Sequence, residues 1–430
     1  MNKLVAGAAL LLLATGAFAQ STIPNNPGKR GTYAIRNATI YPVTAAAIPN
    51  GTIVFANGRI TAVGADVAVP SDATIIDGTG LSVYPGLIDS GTSIGLVEIS
   101  SVAGTVDTEE LGDLNPNARA EVAINPHSNL IPVTRANGIT TVLSVPEGGL
   151  VSGQSALINL AGWTPKEMVL QSPAALHIRF PRLRSGSFDE QAQDEEAEKE
   201  AQKTYTRSLD KLRDLFRDAN AYAKARTANA RTERDVMLDA MVPVVEGRVP
   251  VVIHANRAKD IEAAIKFADE MKVRMILAEG QDVGRVLPQL KQHDIPVLLG
   301  GILKLPPRED DPYDLLYTNA KTLYEAGIRF AIQSQEDHNA RNLPYHAAMC
   351  AAFGLPKDVA LKAVTIFPAQ IFGVADKVGS LEAGKVANII VTDGDPLEIA
   401  TNVRRLFING EDITLDTRQK QLYEKFRQRP

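Results

Sequence analysis

The sequence predicts an α/β protein, a distorted TIM (β/α)8 barrel carrying a small β-sandwich domain formed by both termini. Three observations carry this prediction. In the middle of the chain, short apolar runs alternate with helical stretches, the pattern of a parallel sheet with crossover helices. At both ends, short alternating strands are separated by turn dipeptides. Finally, 430 residues accommodate a barrel of about 250 residues and leave a remainder for a second domain. A chain that is 45% hydrophobic and 22% charged has the balance of a globular protein rather than a disordered one.

The elements follow in order. Lys3, the apolar run Val5 to Thr15 and Ala17-Phe18-Ala19 before Gln20 read as an export signal over residues 1–19, a charged end, a short apolar stretch and a small-x-small cleavage pattern. The run is too short to cross a bilayer of about 30 Å, so the expectation is an exported protein without a transmembrane segment, periplasmic if the source is Gram-negative. Residues 20–32 are Pro-, Asn- and Gly-rich and read as a flexible leader. Strands are predicted at Tyr33 to Ile40, Gly51 to Phe55, Arg59 to Val63 and Thr74 to Gly78, with Asn57-Gly58 as a hairpin turn. The same punctuation returns at Ala387 to Thr392, Asp393-Gly394-Asp395-Pro396, Val403 to Ile408 and Asn409-Gly410. Residues 33–82 and 376–412 are therefore assigned to the composite sandwich, 83–375 to the barrel and 413–430 to a C-terminal tail.

Within the barrel, strands are expected at Val83 to Ile88, Ile139 to Val145, Ala156 to Leu160, Met168 to Arg179, Val249 to Ile253, Arg274 to Leu277, Ile295 to Leu299 and Phe330 to Ile332. Ala258 to Met271, Val283 to Gln292 and Asp314 to Ala326 have helical composition and period between them. A charged insertion over 189–240 interrupts the rhythm. Its Leu209, Leu212, Leu215 and Phe216 recur at helical spacing, which predicts a helix packed on the barrel, either as a solvated outer layer or as a lid or partner surface.

A net charge of -5 and a pI near 5.8 argue against nucleic acid or an anionic membrane as the main partner. Cys350 is the only cysteine, so no intramolecular disulfide can form, and its apolar surroundings predict a buried structural thiol. No Gly-x-Ser-x-Gly elbow, Walker loop or His-Glu-x-x-His is present. The Gly148 to Ser155 segment is Gly/Ser-rich and reads either as an anion-binding nest or as a tight turn. His127 and His177 fall near the expected barrel mouth, where a lone histidine is more often structural than a ligand. His293 and His346 sit on helical stretches and are read as structural.

In such a barrel, reacting groups lie at the C-terminal ends of the strands. Pro85-Gly86-Leu87-Ile88-Asp89 followed by Ser90-Gly91-Thr92-Ser93, Gly138-Ile139-Thr140-Thr141-Val142, His254-Ala255-Asn256-Arg257 and the tail motif Val378-Gly379-Ser380-Leu381-Glu382-Ala383-Gly384-Lys385-Val386-Ala387-Asn388 together resemble the amidohydrolase superfamily. The branch they resemble most is that of imidazolonepropionases and Xaa-Pro dipeptidases, and the resemblance runs over Tyr33 to Asp412. It implies one or two divalent metals such as zinc, held by a His-x-His pair on strand one, a histidine on each of strands five and six, and an aspartate on strand eight. A lysine carboxylate or glutamate sometimes bridges, and the metal would acidify a bound water to a pKa of about 7.

Carried over by position, that ligand set is largely missing. Gly91 and Ser93 stand at the His-x-His positions, Glu279 at the strand-six histidine and Gln335 at the strand-eight aspartate; His254 alone matches. The expectation is a degenerate homologue, weakly active or non-catalytic, that binds a small molecule at the barrel mouth. The alternative is an active hydrolase of C–N or dipeptide bonds, with a non-standard metal site around His254 and Glu279 and with Asp337 or His338 as candidate catalytic residues. A homo-oligomer follows only from family analogy, and pairing with an active paralogue only from the depleted site.

Overall fold

The computed structural model describes residues 28–182, 195–228, 233–306 and 308–429. The export signal, most of the leader and the start of the insertion lie outside the described residues.

Five strands form the N-terminal part: β1 (Tyr33–Ile40), β2 (Ile48–Ala56), β3 (Arg59–Gly64), β4 (Thr74–Asp77) and β5 (Ser82–Pro85). The barrel strands are β6 (Leu87–Thr92), β7 (Ile139–Ser144), β8 (Val151–Asn159), β9 (Val169–Arg179), β10 (Val251–Ala255), β11 (Met275–Glu279), β12 (Val297–Leu299) and β13 (Phe330–Ile332). The chain ends in β14 (Ile389–Thr392), β15 (Val403–Ile408), β16 (Glu411–Ile413) and a helix at Arg418–Phe426.

The two ends meet in one eight-stranded sheet of order β16-β15-β14-β5-β1-β2-β3, with β4 beside β1. The joint is the antiparallel pairing of β5 with β14, in which Val83 faces Val391. Tyr33, Phe55 and Phe407 are buried in its core, their ring centroids 4.8 to 5.5 Å apart. The β domain expected from the two termini is built from one continuous sheet around a single apolar cluster.

Val83 to Ile88, expected as one barrel strand, is divided between the two sheets. Pro85 ends β5, where a missing N–H terminates the ladder. At Gly86 the chain crosses into the barrel so close to Thr140 that a Cβ would lie 2.1 Å from its Oγ1. Only glycine fits that crossing.

The barrel strands lie in chain order, β6 to β13. β8 runs antiparallel to both neighbours, a departure from the all-parallel expectation. The segment joining β7 to β8 is only residues 145–150, and a parallel return needs a crossover of a dozen or more residues. Expected strands three and four, Ala156 to Leu160 and Met168 to Arg179, correspond to β8, which begins earlier, and to β9. Along β10, Val252 joins Ile276, Leu298 and Ala331 in the interior, while Val251 and Ile253 pack with the surrounding layer, the alternation that a filled barrel requires.

β6 and β13 close the barrel through side chains. Ser90 Oγ donates to the Ile332 carbonyl at 2.9 Å. Asp89 Oδ1 accepts from the backbone N–H groups of Gly91 at 3.1 Å and Ser334 at 3.0 Å. The insertion contains a helix of 33 residues, Glu195–Thr227, whose Leu212, Phe216 and Ala219 are fully buried. It docks on helix Ala258–Met271, with Phe216 edge-on to Phe267 at 5.6 Å. Cys350 is buried, and burial pushes its thiol up to about 12. Among the described residues, no helix is long and apolar enough to cross a membrane.

Candidate functional site

At the C-terminal ends of the barrel strands lies a cavity of about 230 Å³ lined by Gly91, Thr92, Ser93, Val145, Glu147, Arg179, His254, Asn256, Glu279, Gln281, Lys304, Gln333 and Gln335. His254, Glu279, Gly91, Ser93 and Gln335, singled out in the sequence, are thus brought to one place. Two of these positions are conformationally strained: Glu279 (φ 77°) and Gln335 (φ 56°) occupy the left-handed region, which non-glycine residues enter at a cost and which often marks functional sites.

Three adjacent strands supply a hydrogen-bonded chain of side chains. His177 on β9 places Nδ1 3.0 Å from Nε2 of His254 on β10. His254 Nδ1 is 3.1 Å from Glu279 Oε1 on β11, and Asn256 Nδ2 donates to the other carboxylate oxygen. The geometry follows from the parallel register, which sets His254 beside Arg179 on one side and Ala278 on the other. Burial opposes ionisation of Glu279. The hydrogen bond and charge of His254, the charge of Arg179 and the Asn256 amide together outweigh it and hold the carboxyl below its ordinary value. An ionised carboxylate only accepts, so the proton between Glu279 and His254 resides on Nδ1 of the imidazole. Both ring nitrogens of His254 are therefore engaged by protein.

His177, fully buried, has its pKa driven well down by burial first, then by His254 and Arg179. It is a neutral ring, and its Nε2 has no hydrogen-bond partner among the described residues. In the sequence His177 stands as a lone histidine, because its partner is 77 positions away. Asp89, which ends the Pro-Gly-Leu-Ile-Asp motif, has no residue-type signal of its own; burial raises that carboxyl to about 7 against the opposing bonds from Ser334 and Gly91. Gln333, Gln281, Arg179 and Lys304 carried no signal that spacing could reveal.

The metal ligand positions can be tested against what surrounds them. A Cβ at Gly91 would lie 2.0 Å from Gln333 Oε1, and Gln333 is tethered by its Nε2 to the Leu298 carbonyl at 2.8 Å. The space of a strand-one ligand is thus filled by an amide. Gln335 lies equally tightly over Gly300, its Oε1 2.2 Å from a Cβ there. Among the described residues, no group of three or more His, Cys, Asp or Glu side chains could hold a metal ion. A zinc site needs three or four such donors; the residues present do not fit the metal centre that the resemblance implies.

Asp337 and His338 do not line the cavity. They bond to each other, His338 Nδ1 to Asp337 Oδ1 at 2.7 Å, while Ser100 Oγ donates to Asp337 Oδ2 at 3.2 Å. Burial raises the Asp337 pKa, but these bonds and the His338 backbone N–H keep it below its ordinary value. The pair ties the loop after β6 to the segment after β13 and stays outside the pocket. In the segment considered as an anion nest, Gly148 to Ser155, several N–H groups are already committed to the fold. Ser152 to Ser155 belong to β8, and the N–H groups of Glu147, Leu150, Val151 and Gln154 already donate to carbonyls of Thr108, Asp113 and Ala118. His127 is exposed on a turn.

What remains is a polar cavity with two cations, Arg179 and Lys304, two carboxylates, Glu147 and Glu279, and a set of amides and hydroxyls. Such a lining suits a small polar molecule held by hydrogen bonds.

A sequence profile described as "Amidohydrolase family" matches residues 133–413. The chain is 24% identical over 374 residues to the amidohydrolase tasK of Hapsidospora irregularis, covering 80% of this chain but 37% of that protein, so it spans little more than a third of that relative. It is 25% identical over 409 residues to an imidazolonepropionase of Thermoplasma volcanium, covering 87% of this chain and 93% of that one. The crystal structure of an amidohydrolase from Thermotoga maritima MSB8 superposes with a TM-score of 0.78 at 26% identity, covering 89% of this chain and 99% of the other.

Proposed function

The chain belongs to the amidohydrolase family, a family of hydrolases, and from that premise we propose that it is an exported, degenerate member. On this reading its barrel mouth binds a small polar molecule without a catalytic metal. One observation carries the reading: the single histidine retained at a ligand position, His254, has both nitrogens in hydrogen bonds to protein, Nε2 to His177 and Nδ1 to Glu279. A lone pair that accepts a proton donor is not available to a cation, and a neutral amide at Gln335 neither neutralises a metal nor takes a proton from water. Gly91, Ser93 and Gln335 support the same conclusion from the residue types alone. Export rests on Lys3, the Val5 to Thr15 run and Ala17-Phe18-Ala19; a mature N-terminus at Gln20 in the periplasmic fraction of a Gram-negative source is the expected product.

The second reading, an active hydrolase of C–N or dipeptide bonds around His254 and Glu279, has one distance in its favour. The facing nitrogens of His177 and His254 are 3.0 Å apart, close enough for two ligands of one cation. Metal content decides between the two. The purified protein is loaded with zinc or manganese, freed of excess ions and assayed for metal per chain, beside His254→Ala. The expected result is substoichiometric metal in both proteins. Stoichiometric metal that disappears in His254→Ala would overturn the degenerate reading and support the hydrolase.

A further inference from the structure

The helix Arg418–Phe426 is anchored through its N-terminal end. Its N-cap Thr417 is buried and accepts from the Lys420 N–H, Leu415 packs against the core, and Gln421 Nε2 donates to Asp416 at 2.7 Å. No residue of the helix itself is buried. Leu422, Tyr423 and Phe426 are 40%, 64% and 42% exposed. At about 3.6 residues per turn, these three fall on one face, with the uncharged Gln419 between the two rings. Lys420, whose Nζ donates to the Leu415 carbonyl at 2.8 Å, and Arg427, paired with Glu424 at 2.7 Å, border that face along one edge, and Arg418 and Lys425 along the other. Gln421 and Glu424 lie on the opposite side, toward the anchoring contact with Asp416. The bases gather around the rings, with Arg427 over Tyr423 at 5.9 Å and Arg429 over Phe426 at 4.3 Å.

Charge separates with the same geometry. Residues 418–429 hold five basic side chains and one acidic one, net +4, in a chain whose total is -5, so the remainder carries -9. The chain-wide value that argued against an anionic membrane averages two regions of opposite sign. We infer that this helix docks on an anionic phospholipid surface, with Leu422, Tyr423 and Phe426 in the headgroup–acyl boundary and the flanking lysines and arginines on lipid phosphates. An apolar face edged by cations on both sides is what an interfacial helix needs: burial supplies the attraction, and the long basic stems reach outward to the headgroups. A nine-residue helix inserts little area, so the binding is reversible and depends on charge. The inference does not depend on what the barrel mouth binds.

Vesicle co-sedimentation tests it, using the full chain beside a chain beginning at Gln20, so that the apolar Val5 to Thr15 run does not contribute. The expected result is partition of both forms onto phosphatidylcholine vesicles containing about 30% phosphatidylglycerol, with release as salt screens the charges. Binding of the shorter chain to pure phosphatidylcholine should be weaker by about tenfold or more. Leu422→Asp with Phe426→Asp should cost at least about tenfold, and Arg418→Gln or Lys425→Gln about fivefold each, with little change in thermal melting because all four side chains are exposed. Equal partition of the shorter chain onto both vesicle types, no partition at all, or binding indifferent to the double substitution would overturn the inference. A dimer split by the double substitution in the absence of lipid binding would assign the face to a second copy of the chain and overturn it likewise.

Discussion

Gly91 and Gln333 form a pair whose members cannot change independently. The Gln333 carbonyl oxygen occupies the volume of any side chain at 91, and its amide nitrogen is held by the Leu298 carbonyl. Gly91→His, the change that would begin to restore a ligand pair, should therefore destabilise the protein by about 1–3 kcal/mol through overpacking. Combining it with Gln333→Gly should return most of that loss, so the two substitutions should be non-additive in denaturant unfolding. Additive effects, or a Gly91→His protein of unchanged stability, would show that Gln333 does not fill the site. At this scale the sequence identified the positions but not the occupant. Residue types at 91, 93, 279 and 335 could be compared with a ligand set, whereas a glutamine two positions from Gln335 has no pattern that marks it as a plug.

Among the elements, the inserted helix Glu195–Thr227 was legible because Leu209, Leu212, Leu215 and Phe216 repeat at helical spacing. Its docking is concentrated in a few side chains: Phe216 is fully buried against Phe267, and Arg213 reaches Glu270 at 3.1 Å. The ion pair is half exposed and contributes little. Phe216→Ala should cost about 3 kcal/mol or more, while Arg213→Ala should change stability by less than about 1 kcal/mol, as measured by urea midpoints at constant m-value. A small effect of Phe216→Ala would mean that the helix is a loosely held outer layer. β8 was misjudged at the same scale. Its composition fits a buried strand in either direction, and the shortness of the 145–150 connection, rather than any residue in the strand, makes it run backwards.

In the whole molecule, the terminal sheet and the barrel are joined by more than the chain. Asn388, next to β14, donates from Nδ2 to Thr141 Oγ1 at 3.1 Å and to Asn159 Oδ1 at 2.8 Å, both in the barrel, and Asn159 donates to Asn409 Oδ1 at 2.9 Å. These groups are buried or nearly so, and breaking such a network leaves unpaired polar atoms at about 1–3 kcal/mol each. The two parts should therefore unfold together: fluorescence of Trp163, the only tryptophan, and far-UV circular dichroism should give coincident thermal transitions. Asn388→Ala should lower both. Separate transitions would mean that the sheet formed by the two termini is an independent domain.

Periodicity, turn dipeptides and the order of short motifs determined the barrel, the sheet shared by the two termini and the family, because these are properties of local pattern and linear spacing. Residue type at four positions matched by resemblance set the expectation that the usual metal donors are absent. Only the tertiary structure decided what surrounds those positions. His177 meets His254 across 77 residues of chain, Gln333 enters the space over Gly91, and Asp337 turns away to His338 and Ser100. Each of these outcomes depends on side chains that become neighbours when the strands close into a barrel. Contact between residues far apart in the chain is set by packing and register, which no local pattern encodes.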